Sequence, residues 1–247
     1  MPAVADAKDT VPTPGAKETA TVIDARACEL RPVTTDLRAH LGEGKVTVCD
    51  AEHLHGLAAG LKAGEVTILG DGGDYLGVLN DGATILVTGN VGNYLADNMT
   101  HGTVIVEGNA GRGAAPYCYG GTVVVRGNAG DFTAVMNKGA TVIIGGNVGN
   151  EVATYMLAGD LVIVGDAGKN LGNYLIRGNI YIAGHWETLG HNTKLEVLTE
   201  ADTAKLRAYF DLYDIKADPA AFSKIVRLSE KPFYKAAAKA PANGALE

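Results

Sequence analysis

The sequence predicts an all-β-dominated fold. It is a single-stranded, right-handed β-helix of about seven 19-residue coils, with a small α/β cap at the N-terminal end and an α-helical cap at the C-terminal end. Three observations carry this. Glycine is abundant and confined, with 33 in 247 residues and 27 of them between Gly64 and Gly190. Within that stretch Asp71, Asn90, Asn109, Asn128, Asn147, Asp166 and His185 recur every 19 residues, each directly after a glycine. Two aliphatic columns keep the same period: Val66, Ile85, Val104, Val123, Val142, Leu161 and Ile180, and, two residues on, Ile68, Val87, Val106, Val125, Ile144, Ile163 and Ile182. Side chains two residues apart share one face of a strand. A unit this short cannot bury its own apolar face, whereas a stack of such units can. At about 4.8 Å per coil the stack stands roughly 30 Å tall.

The elements follow in order. Residues 1–20 carry little periodicity and read as a disordered arm. Residues 21–63 read as the α/β cap, plugging one end of the stack. There Thr35 or Asp36 caps a short helix holding Leu37 and Leu41, Lys45–Cys49 forms a strand, and Asp50 caps a helix carrying Leu54, Leu57 and Leu61. Residues 64–190 form the coils, and each Gly-Asn-x-Gly segment turns a corner, where glycine supplies positive φ or close backbone approach. The recurrent Asn/Asp column is expected to form a ladder of side chains along the stack. Asn98, Met99, Tyr117, Met136, Tyr155, Met156 and Tyr174 fall near one corner and read as core of the next wall. Residues 191–230 form the helical cap. Thr199 with Asp202 resembles a capping box, ahead of Leu206, Tyr209, Phe210 and Tyr213 at helical spacing, and a second short helix is expected from Asp218 to Val226. Residues 231–247 read as a loose tail.

One column does not suit an isolated β-helix. Leu86, Ile105, Val124, Ile143, Val162 and Tyr181 alternate with the inward columns and therefore point outward. Such a stripe exceeds the apolar patches that soluble monomers expose. A terminal helix, with Tyr209 and Phe210 as contacts, is expected to cover part of it and a partner subunit the rest. If the partner is the main cover, aspartates at Val124 and Ile143 would spare the fold and break assembly.

Chemistry-bearing motifs are sparse. The chain carries a net charge of −7, and residues 64–190 hold 11 acidic and 5 basic side chains, which argues against a nucleic-acid surface. Cys28, Cys49 and Cys118 lack close spacing and suggest neither a disulfide framework nor a metal cluster. His53 and His55 cannot share a helix face, and His185 and His191, where the last coil ends, read as surface or capping residues. Neither a G-x-S-x-G elbow nor a phosphate-binding glycine motif is present. No catalytic, cofactor-binding or metal residue is assigned, and no cofactor is expected in this chain. No apolar window reaches membrane-spanning length and no signal peptide is evident, so a cytoplasmic location is expected.

The coils Gly89-Asn90-Val91-Gly92, Gly127-Asn128-Ala129-Gly130 and Gly165-Asp166-Ala167-Gly168-Lys169-Asn170-Leu171-Gly172 resemble the GXGXG domain, the C-terminal β-helix of the glutamate synthase large chain. The resemblance covers roughly residues 30–230. The stretches Gly178–Gly184, Leu198–Asp202 and Asp218–Phe222 are similar to the end of the stand-alone form found in methylamine–glutamate N-methyltransferase (N-methylglutamate synthase). This resemblance implies a non-catalytic, passage-forming subunit of a hetero-oligomeric enzyme complex. Its partners would be a glutaminase/amidotransferase-like subunit and an FMN-binding glutamate-synthase-like subunit carrying FMN and an iron–sulfur cluster. The complex would convert glutamate and methylamine to N-methylglutamate and ammonia. An alternative resemblance is to the C subunit of formylmethanofuran dehydrogenase or of a formyltransferase/hydrolase complex. That family favours a double glycine before the strand, which occurs here only at Gly120-Gly121. A free-standing β-helix lyase would need a charged outer groove, and the outer column here is aliphatic.

Overall fold

The computed structural model describes residues 21–231. The expected arm at 1–20 and the tail beyond Lys231 lie outside the described residues. In chain order the elements are β1 (Thr21–Asp24), α1 (Leu30–His40), β2 (Val46–Cys49), β3 (Glu65–Leu69), β4 (Asp81–Val87), β5 (His101–Val106) and β6 (Thr122–Val125). They continue with β7 (Lys138–Ile144), β8 (Ala158–Ile163), β9 (Asn179–Ile182), β10 (Thr193–Glu196), α2 (Glu200–Tyr213) and β11 (Ser223–Arg227). Strands β1 to β9 stack in sequence order as parallel neighbours, so the chain is a β-solenoid of about seven turns. Its two aliphatic columns register as expected, with Val104 beside Val123 and Val106 beside Val125, and both are fully buried.

From Gly89 to Gly184 the glycine preceding each Asn, Asp or His of the column is required by close approach, not by positive φ; Gly70, in the first coil, has open space and positive φ instead. A Cβ on Gly127 would stand 2.5 Å from Asn109 Oδ1 and 2.7 Å from the Gly108 carbonyl oxygen. Positive φ is carried instead by three columns on the far arm of the coil, and mostly by residues other than glycine. Tyr75, Tyr94, Gly113, Phe132, Glu151 and Asn170 form the first. Gly77, Ala96, Ala115, Ala134, Ala153 and Gly172 form the second, and Leu79, Asn98, Tyr117, Met136, Tyr155 and Tyr174 the third. Left-handed backbone costs a side-chain-bearing residue about 1–2 kcal/mol. Here it turns successive N–H groups along the stack. Tyr94 N–H donates to the Arg112 carbonyl one coil ahead at 2.9 Å, Ala115 N–H to the Leu95 carbonyl one coil behind at 2.8 Å, and Tyr117 N–H to the Val135 carbonyl ahead at 2.9 Å.

Four sequence expectations are corrected. α1 begins at Leu30 after Glu29, not at a Thr35 or Asp36 cap; Pro32 suits its first turn, Val33 and Leu37 form its buried face, and Thr35 Oγ donates back to the Arg31 carbonyl. Residues 50–61 are not a helix but coil backbone. Their leucines mimic helical spacing because the coil's inward positions, Leu57 and Leu61, then Leu76 and Asn80, then Leu95 and Met99, lie four residues apart. The helix expected from Asp218 to Val226 is a 3-10 turn at Pro219–Ala221 followed by β11, which pairs antiparallel with β9 and with β10 and so closes that edge of the sheet. At the opposite end β1 and β2 join the parallel sheet directly, Thr21 beside Val46 and Val46 beside Val66.

The fourth correction concerns the outward stripe. Val124, Ile143, Val162 and Tyr181 are completely buried beneath Leu206 and Phe210 of α2, with Ile215 and Phe222 completing the cluster. Leu86 and Ile105 remain half-buried. This chain therefore supplies the cover over the C-terminal coils, with Tyr209 and Phe210 among the contacts as expected, so over those coils the condition under which aspartates would spare the fold is not met. Val124→Asp places a carboxylate in a closed apolar layer and should destabilise the full chain by about 3 kcal/mol or more, freeing α2 for proteolysis. Urea unfolding with limited proteolysis reads both. An unchanged midpoint would show that α2 does not seal the stripe.

Candidate functional site

The site is built on the coil corners and on the two outward faces. At the first corner each Asn/Asp of the 19-residue column accepts the backbone N–H of its successor: Asn109 N–H to Asn90 Oδ1 at 2.9 Å, Asn128 N–H to Asn109 Oδ1 at 2.8 Å, and His185 N–H to Asp166 Oδ1 at 2.7 Å. A second, parallel ladder begins three residues later. Asn93 N–H donates to Asp74 Oδ1 at 2.6 Å and Asn150 N–H to Asp131 Oδ1 at 2.7 Å. The sequence held its signal, Asp74, Asn93, Asp131 and Asn150 at multiples of 19, but Arg112 interrupts the column and hid it. Between the ladders runs a floor of small residues, Val91, Ala110, Ala129, Val148 and Ala167, ending at Trp186. A recess of about 480 Å³ opens there, lined by Asn147, Asn150, Asp166, His185, Trp186 and Glu187.

The remaining sequence-singled residues are dispersed. His55 Nδ1 accepts the Asp74 N–H at 2.9 Å and so starts the second ladder, while His53 Nε2 meets the Cys28 carbonyl at 3.0 Å. His191 packs its ring on Tyr174, away from the His185 recess. Among the described residues no three His, Cys, Asp or Glu side chains gather in metal-binding geometry. Cys28 and Cys49 are half-buried, and burial pushes the Cys118 thiol up to about 12, leaving it unreactive. Of the corner cluster expected as core, only Met99 and Met156 are core. Asn98, Tyr117, Met136, Tyr155 and Tyr174 stand on left-handed backbone and point outward.

Those residues belong to an exposed aromatic face. Tyr75 stacks on Tyr94 at 4.9 Å and Tyr155 on Tyr174 at 5.3 Å. Arg112 lies 4.6 Å over the Phe132 ring and Lys138 3.9 Å over the Tyr119 ring. Gly113 occupies the position that Tyr94 and Phe132 fill in the coils on either side. There the face opens into a largely apolar recess of about 380 Å³, lined by Tyr94, Arg112, Pro116, Tyr117, Phe132 and Tyr155 among others.

The opposite, strand-side face is closed by polar as well as apolar contacts. Tyr181 donates to Asp202 Oδ1 at 2.7 Å, and Lys224 reaches Asp202 Oδ2 at 3.1 Å. Thr199 caps α2 by exchanging hydrogen bonds with Asp202. Asp160 receives Lys205 at 3.0 Å, Tyr209 at 2.9 Å and Asn179 at 2.9 Å. Burial pushes the Tyr209 hydroxyl up to about 12, helped by Asp160, and pushes Tyr181 up further. Burial would also raise Asp202, but the donors Tyr181, Thr199 and Lys224 outweigh it and hold the carboxyl well below the usual range. The Lys205–Asp160 and Lys224–Asp202 pairs hold α2 to the sheet.

Because the folded value of Asp202 is depressed, its stabilisation is full above the unfolded carboxylate value of about 3.9 and is lost as pH falls toward the folded one. Asp202→Asn should cost about 2 kcal/mol at pH 7, by loss of charge-assisted hydrogen bonds in a buried cluster, with the gap to wild type narrowing below about pH 4. Chemical unfolding of both proteins from pH 7 to pH 2 tests this, and a gap independent of pH would contradict it.

Comparison with known families matches residues 117–216 to the family model of the GXGXG motif. No curated protein matches the chain. The matched span runs from the third left-handed column at Tyr117, through β6 to β10, to the end of α2. Residues 117–216, less than half of the chain, are therefore similar to the GXGXG motif, and the regular coil stack extends beyond the matched span.

Proposed function

We propose that this chain is a non-catalytic structural subunit of a glutamate-synthase-like complex, N-methylglutamate synthase in particular. In this reading it lies in the cytoplasm, between an amidotransferase-like subunit and a subunit holding FMN and an iron–sulfur cluster, and walls part of the passage between them. The observation that carries the reading is the GXGXG match on a regular coil stack. The disposition of polar groups supports it. The Asn/Asp columns are engaged in ladders along the stack, and the Asp160 and Asp202 clusters are engaged in docking α2. A body of this kind offers long, stiff, outward surfaces, which suits a spacer between two active sites.

Purification of the native assembly through a tag on this chain, with mass spectrometry of the co-purifying polypeptides, tests the proposal. The expected result is one flavin and iron–sulfur protein and one amidotransferase-like protein in fixed ratio, with flavin absorbance in the assembly and none in the isolated chain. The reconstituted assembly should form N-methylglutamate from glutamate and methylamine only when this chain is present. A formyl-transfer or hydrolase polypeptide in their place would move the chain to a formylmethanofuran dehydrogenase-like complex, and a solitary chain would refute both.

A further inference from the structure

The exposed arm holds its outward side chains on left-handed backbone, which glycine adopts without strain and does adopt at Gly56, Gly60 and Gly113. Tyr75, Tyr117 and Tyr155 hold the same conformation and stay more than a third exposed. The core does not need these rings, because the arm's inward positions are already filled by Leu57, Leu76, Leu95 and Met99. The left-handed backbone serves the stack, but large part-exposed rings that the core does not use mark a surface that another body contacts.

Charge narrows what that body is. The chain has a net charge of −7, yet two of the five basic residues in 64–190 lie on this face, Arg112 over the Phe132 ring beside the recess and Lys138 over the Tyr119 ring. Both rest on aromatic rings, and neither is ion-paired among the described residues. Asp97, Asp131 and Glu151 on the same arm disfavour a polyanion such as nucleic acid. The recess at Gly113 is large enough for one ring or branched side chain and lies beside Arg112.

The geometry points to this face as the docking site for another polypeptide. Its contacting segment sets an aromatic or branched aliphatic side chain into the Gly113 recess and an aspartate or glutamate against Arg112 beside it, with Lys138 adding positive charge to the same face. This holds whichever complex the chain serves, since it specifies the chemistry of the contact and not the identity of the partner.

The test replaces Tyr117 in the full-length chain with a benzophenone-bearing phenylalanine, expressed in the native cells, and sequences the photo-crosslinked peptides. The expected product is a peptide from a different polypeptide with an aromatic or branched aliphatic residue within a few positions of Asp or Glu. Its yield should fall about tenfold in Arg112→Glu/Lys138→Glu, with an unchanged melting midpoint. Capture of residues 232–247 of this chain, capture of a second copy, no capture, or a yield indifferent to the charge reversal would each overturn the inference. A peptide of the expected chemistry from a polypeptide unrelated to flavin or amidotransferase subunits would uphold it while refuting the proposed complex.

Discussion

The structure depends on backbone hydrogen bonds that run along the stack and not within a coil. A single coil leaves most of its N–H and C=O groups unpaired, and buried unpaired backbone groups are not tolerated. The neighbouring coils satisfy them three ways: through the parallel strands, through Asn and Asp oxygens that accept the next coil's N–H at each corner, and through left-handed residues that aim successive N–H groups up and down the axis. All three require the same residue spacing, so the 19-residue register is a joint requirement of strand, corner and arm. The glycine beside each ladder residue follows from it. From Gly89 onward the coils approach so closely there that a Cβ would strike the previous Asn or Asp oxygen.

A register fixed by backbone leaves the outward faces free to differ, and the protein uses them differently. The strand face is aliphatic and is sealed by α2, with Asp202 and Asp160 holding the helix by charge-assisted hydrogen bonds. The arm face is aromatic and remains open, with two cations lying on its rings. One face completes the fold and the other is available to a partner.

The coil stack was legible in the sequence because the inward columns and the glycine-preceded Asn/Asp column repeat without drift. The outward stripe from Leu86 to Tyr181 was equally legible, as was its need for cover. That α2, with Ile215 and Phe222 after it, seals its C-terminal part was not, because the length and angle of a docked helix depend on tertiary packing. The arm was misread for a physical reason. Its inward residues recur four apart, so Leu57 and Leu61 imitate a helix, and its positive φ falls on alanines and tyrosines instead of glycines. The aromatic face was correspondingly taken for core: Tyr117 and Met99 are neighbours in the same cluster of the sequence but point to opposite sides of the wall. The second ladder escaped notice because Arg112 breaks the column, although its backbone N–H still donates to Asn93.

The most direct test of this account removes one coil in register and one out of register. Deleting residues 90–108 joins Gly89 to Asn109 and preserves every column, whereas deleting residues 90–107 leaves one residue too many and turns each following side chain to the wrong face. The account predicts that the first variant keeps a β-rich circular dichroism spectrum and a cooperative melt while the second loses both. Equal behaviour of the two deletions would contradict it.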